Sequence, residues 1–231
     1  MNSIIDDLKI KYPTDNHRKY ISEIYNYCLK KRLSLVLKGS LAKGTAKRFS
    51  DIDIMIIGKV TDSELDEIIN IHGRPIMTNF TERPKGIMIL VYSDSISVDL
   101  DIRNTIILEE IDESYILLKN QENFKISTEI NRRVIKSQYI PNRLQWYKVL
   151  RLVHRSLIKY LCGNKKDANE LLIEVKENLG LLKIDNVEFC NEFEYNIKEV
   201  FTEFQSKYTI SGDIIALFES MFLEFENGKL K

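Results

Sequence analysis

Leu37-Lys38-Gly39-Ser40-Leu41-Ala42-Lys43-Gly44-Thr45-Ala46-Lys47-Arg48-Phe49-Ser50-Asp51-Ile52-Asp53, continued by Ile54-Met55-Ile56-Ile57, decides how this chain is read. Leu33, Leu35, Val36 and Leu37 predict a short buried strand that stops at a tight turn, Gly39-Ser40. Without a side chain at Gly39, the backbone can approach a bound group closely. Ser40 and the following amides open a short helix, and such N-termini favour phosphate oxygens. Lys43, Lys47 and Arg48 add positive charge around the same turn. The stretch from Asp51 to Ile57 starts by alternating polar and apolar residues and becomes wholly apolar, as in a central strand with one end at a site. Asp51 and Asp53, two apart on a strand, share a face. Two adjacent carboxylates are costly unless a cation sits between them. Hard oxygen ligands of this kind suit Mg²⁺, which often binds through one or two carboxylates plus substrate phosphates.

Working outward, a short helix is expected from Ser3 to Lys9, ended by Pro13. A second, capped by Asp15 or Asn16, carries Tyr20, Ile21, Ile24, Tyr25, Cys28 and Leu29 at helical spacing. Thr61 and Glu64 form a T-x-x-E capping box before Leu65, Ile68 and Ile69, with Gly73 beyond. Residues 75–80 and 86–92 read as strands, Ser93-Asp94-Ser95-Ile96 as a hairpin turn, and Tyr115–Leu118 as a further short strand. After the turn, Val98, Leu100 and Ile102 alternate with Asp99 and Asp101, so a third acid is available on a neighbouring strand. From Ser127 onward the pattern becomes helical, with segments near 128–138, 142–162, 167–179, 189–207 and 211–226. The polar run 119–123 marks the seam. The fold class is therefore α+β: a mixed sheet with flanking helices in residues 1–122, then a helical bundle in 123–231.

The 231 residues suffice for two small domains at about 100–200 residues each. Thirty-four basic residues balance 34 acidic ones, which disfavours a protein built to coat nucleic acid. Cys28, Cys162 and Cys190 form no CxxC pair, and His17, His72 and His154 form no metal-ligand pattern. No apolar run approaches the roughly 20 residues that span a bilayer, and the first residues lack a signal peptide's apolar stretch. A cytoplasmic protein with no membrane partner is the expectation.

Gly39-Ser40, ten residues, then Asp51-Ile52-Asp53 and four apolar residues resembles the nucleotidyltransferase motif of the DNA polymerase β superfamily. With its helical second half, the chain looks most like the small bacterial antibiotic nucleotidyltransferases. Asp94-Ser95 followed by Val98-Asp99 resembles the third-acid segment of streptomycin-type aminoglycoside adenylyltransferases; Asp101-Ile102-Arg103 resembles that of the polymerase β branch. The resemblance implies transfer of a nucleoside monophosphate, AMP from ATP or that of another NTP, to a hydroxyl with release of pyrophosphate. It implies Mg²⁺ on Asp51, Asp53 and Asp99, with Asp101 as alternate. It further implies that Gly39, Ser40, Lys43 and Ser50 seat the triphosphate. The implied acceptor is a small hydroxylated molecule such as an aminoglycoside. The rival readings are a toxin-type enzyme acting on tRNA or protein, and a non-catalytic nucleotide sensor. A cleft between the two halves would hold the site.

Other residues have plainer readings. His154 reads as a packed or surface histidine, Trp146 and Tyr147 as helix packing rather than ring stacking on a substrate. Glu109 and Glu110 read as a solvated loop rather than a general base, and Asp101, if not a ligand, as a surface partner for a lysine. Between Asn131 and Tyr160 there are eight basic residues and no acid; from Asp185 to Glu226, ten acids face only Lys198 and Lys207. Mutual neutralisation on solvated faces is the simpler account. The functional one puts the basic helix near the triphosphate and the acidic helices near a cationic acceptor.

Overall fold

A computed structural model describes residues 10–81, 86–133, 145–181 and 193–228. The expected Ser3–Lys9 helix and Cys190 lie outside the described residues. The chain divides into two compact units, residues 1–141 and 142–231.

In the first unit, helix α1 (Asp15–Lys31) is capped by Thr14, whose hydroxyl accepts the His17 amide, rather than by Asp15 or Asn16. Its Tyr20, Ile21, Ile24 and Cys28 are fully buried. Strand β1 (Ser34–Leu37) runs into the one-turn helix α2 (Gly39–Ala42), and the loop beyond returns as β2 (Ile52–Ile57). Helix α3 (Asp62–Ile69) opens with the expected reciprocal capping box, Thr61 to Glu64. Strands β3 (Met77–Phe80), β4 (Met88–Val91) and β5 (Ser97–Arg103) follow, then α4 (Leu108–Asp112) and β6 (Tyr115–Leu118). The sheet order is β3-β4-β5-β2-β1-β6, and β2 and β5 are its one parallel pair. These two strands sit at the centre, where burial on both faces suits their apolar runs.

The two faces of the sheet are used differently. Ile52, Ile54, Ile56, Val98, Leu100 and Ile102 pack with α1 and α3 in the main core. The opposite face carries Met55 and Ile57 against Val36 and Ile106, and it also bears the odd-numbered acids. That face is where a polar site can be built without breaching the core.

Residues 128–133 are not helical, contrary to expectation, and 134–138 lie outside the described residues. Ile126 bridges Ile106, Arg132 bridges Arg103, and the Arg133 amide donates to the Ile102 carbonyl at 2.9 Å. Tertiary backbone pairing replaces the helical bonds that the local spacing favours. The stretch 123–133 thus belongs to the first unit.

The second unit contains α5 (Gln145–Leu161), α6 (Lys165–Leu179), α7 (Phe193–Lys207) and α8 (Gly212–Gly228). Val149, Leu150, Val153 and Leu157 of α5 pack into its core with Ile197, Phe204 and Phe218. Trp146 stacks on Tyr208, with ring centroids 6.2 Å apart and planes 23° off parallel, so it serves helix packing. His154 is buried in this core beside the Phe218 ring, and burial pulls its pKa down to about 4. Among the described residues no helix is long and apolar enough to cross a membrane.

Candidate active site

The strand-to-helix turn after β1 is fastened directly to β2. The Lys38 amide donates to the Asp53 carbonyl at 2.8 Å. Gly39 then takes φ +62°, the left-handed region that glycine enters without strain. A Cβ at that position would lie 1.9 Å from Asp53 Oδ2, so the Asp53 carboxylate occupies the space a side chain would need. Two independent constraints, the backbone angle and the contact, therefore require glycine. The amides of Ala42, Lys43 and Thr45 close the turn by donating to Lys38, Gly39 and Ser40. Those of Gly39, Ser40 and Leu41 precede the first intrahelical bond, the position from which helix amides meet an external acceptor. Lys43, Lys47 and Arg48 are exposed around this turn.

Across the parallel pair, Asp53 stands in register with Asp99. Neighbouring strands lie about 4.8 Å apart, so these carboxylates leave the same face side by side. Asp51 precedes Asp53 by two residues at the entry to β2, and all three acids are half-buried. Ser50 closes the loop before them: its amide donates to Lys47 O at 2.9 Å and its hydroxyl accepts the Lys47 amide at 2.8 Å. The turn Ser93–Ile96, with Ser95 at φ 71°, delivers the chain into β5 ahead of Asp99.

Asp101 is two residues further along the same face and has a different environment. It is 5% exposed and accepts from Arg103 Nε at 2.8 Å and Nη2 at 2.5 Å, and from Arg132 Nε at 3.1 Å. Instead of a surface lysine, its partners are a fully buried arginine and a second one. Arg103 also donates to Glu110, which in turn accepts Lys38 Nζ at 2.8 Å. Glu110 thus sits on a short helix, not in a solvated loop. Burial alone would raise its carboxyl, but the Arg103 and Lys38 hydrogen bonds prevail and hold it below the usual range. This ion network ties the end of β1 to β5 and α4. Local sequence gave no sign of it, because the Lys38–Glu110 bond alone joins residues 72 apart.

The donor set at Asp51, Asp53 and Asp99 is all oxygen, which fits a hard divalent cation. Among the described residues no group of three or more His, Cys, Asp or Glu side chains is placed to hold a metal ion by itself. An open pair of carboxylates that leaves the remaining positions to phosphate and water is the ordinary way to hold Mg²⁺.

A comparison with protein families agrees with this layout. No curated protein matches the chain. The family model described as a nucleotidyltransferase domain matches residues 15–136, more than half of the sequence, from the first turn of α1 past β6. A mixed sheet carrying a glycine-serine turn against paired acids, inside that matched region, makes the chain a member of the nucleotidyltransferase domain family, in the DNA polymerase β superfamily, whose chemistry is transfer of a nucleoside monophosphate.

Proposed function

We propose that this protein is a Mg²⁺-dependent nucleotidyltransferase that moves AMP from ATP to a hydroxyl of a small cationic acceptor, such as an aminoglycoside, and releases pyrophosphate. The observation that carries the reading is the in-register pair Asp53–Asp99 with the Gly39 backbone seated against the Asp53 carboxylate. Asp51, Asp53 and Asp99 would hold the metal. Asp99 is preferred to Asp101 because it stands in register with Asp53, whereas Asp101 is engaged by two arginines. Bound Mg²⁺ would offset the charge on the triphosphate and the departing pyrophosphate.

The remaining work falls to the chain's own groups. The Gly39 and Ser40 amides and the Ser40 and Ser50 hydroxyls would orient the phosphates, and Lys43 would neutralise charge at the turn. Glu110 is a poor general base, since its ion pairs keep it ionised and occupied. The second unit would bind the acceptor: Glu199, Asp213 and Glu219 are exposed on α7 and α8, a surface suited to a polycation.

The test is pyrophosphate release from each of four nucleoside triphosphates, across a panel of aminoglycosides, a lincosamide and bulk tRNA. Release with one small molecule, lost in D51N, is the expected result. Release only with tRNA would reassign the acceptor class, and tight nucleotide binding without release would remove the catalytic reading.

A further inference from the structure

His17 is 1% exposed. It lies on the first turn of α1, yet its Nε2 is 3.0 Å from the carbonyl oxygen of Ser50, 33 residues away. Its Nδ1 is 2.7 Å from the Thr14 hydroxyl, which also accepts the His17 amide. The protons are assigned by chemistry. A carbonyl can only accept, so Nε2 carries the hydrogen; Nδ1 then accepts from Thr14, and the ring is neutral. Burial, which lowers this histidine's pKa, favours the same form. The Ser50 carbonyl belongs to the peptide that joins Ser50 to Asp51, so the bond sets the plane from which Asp51 leaves the loop and enters β2. The other end of that loop turn is held by the paired Lys47–Ser50 contacts.

Resting on the reading given above, we infer that His17 is a positioning residue: it clamps the Ser50–Asp51 peptide to the start of α1 and so aims the Asp51 carboxylate at the metal. Side chains that orient ligands without touching the metal commonly carry a large share of its affinity. A histidine that only filled space in the core could be replaced by any residue of similar volume. A clamp needs a donor at the ε position.

The experiment compares H17Q, H17N and H17L with the parent by electron paramagnetic resonance of Mn²⁺ added with ATP, alongside kcat and KM for pyrophosphate release. The amide nitrogen in H17Q reaches the place of Nε2, whereas that of H17N is one bond too short. The expected result is Mn²⁺ binding within about twofold of the parent for H17Q and weaker by about tenfold for H17N and H17L, with kcat falling more than KM for ATP. H17N is polar and carries the contrast by itself if H17L does not fold. Equal Mn²⁺ binding in all variants, or H17Q as impaired as H17N, would overturn the inference, as would an ¹⁵N spectrum of the parent with the proton on Nδ1. A parent that binds no Mn²⁺ with ATP would instead sink the functional reading, and the inference with it.

Discussion

At the scale of single residues, Gly39 shows how closely local backbone and site are joined. In G39A the new methyl group meets Asp53 Oδ2, and φ +62° penalises any Cβ. The far end of Asp53 can swing aside, so folding should lose only about 1–2 kcal/mol. A carboxylate displaced by an ångström or more should cost about 100-fold in pyrophosphate release. Activity falling far more than the urea midpoint is the expected pattern. Asp99 and Asp101 offer the reverse comparison on one strand face. D101N leaves the buried Arg103 short of a counter-charge and should destabilise by about 3 kcal/mol. D99N, at a half-buried position in register with Asp53, should abolish release and destabilise less than D101N. If D99N kept its activity while D101N lost it at unchanged stability, the two roles would have to be exchanged.

At the scale of elements, His72 joins three segments of the sheet unit. Its Nδ1 meets Glu23 of α1 at 2.5 Å and its Nε2 meets Asp94 of the β4–β5 turn at 2.9 Å. The hydrogen bond to Asp94, with that to Glu23, raises its pKa above 6.5 against the opposing effect of burial. A histidine raised in the folded state contributes stability that is complete below pH 6.5 and is lost as pH climbs through the folded value. The parent should therefore lose more stability than H72Q on going from pH 6 to pH 9. A parallel loss in both, measured by urea midpoints, would contradict this contribution of His72. His154 has the opposite sign: with a folded pKa of about 4, it penalises the second unit as pH falls from 6.5 towards 4. Periodicity alone exposed most of these elements. The α1 face, the capping box at Thr61, the strand Tyr115–Leu118 and the polar-to-apolar change along β2 are all local patterns. The acids could be picked by spacing, but the register that sets Asp53 beside Asp99 belongs to the sheet. Helix α4 and the Lys38–Glu110–Arg103 network depend on contacts between distant segments, as does the irregular path of 128–133. Those contacts outweigh the local preferences of Glu109–Glu110 and of the helical spacing after Ser127.

At the scale of the whole molecule, the proposed division of the chemistry between the two units can be tested through charge. The matched family region ends at residue 136, and the second unit, from 142 onward, lies beyond it; on the reading proposed above, that unit sets the acceptor. Its exposed Glu199, Asp213 and Glu219 stand on α7 and α8, away from the buried stripe of Ile197, Val200, Phe204 and Leu217. Replacing all three by lysine changes the local charge by six units without touching that core. For a cationic acceptor held by these acids, each lost attraction near the surface is worth roughly 0.5–1 kcal/mol. KM for the acceptor should then rise by about tenfold or more while KM for ATP stays within twofold, and the difference should shrink at high salt as screening grows. Steady-state kinetics at low and high ionic strength read both effects. An unchanged acceptor KM would take the acceptor off this surface, and a KM that fell would reverse the sign of the acceptor's charge, pointing to an anionic substrate drawn to the basic stretch that includes Lys148 and Arg155.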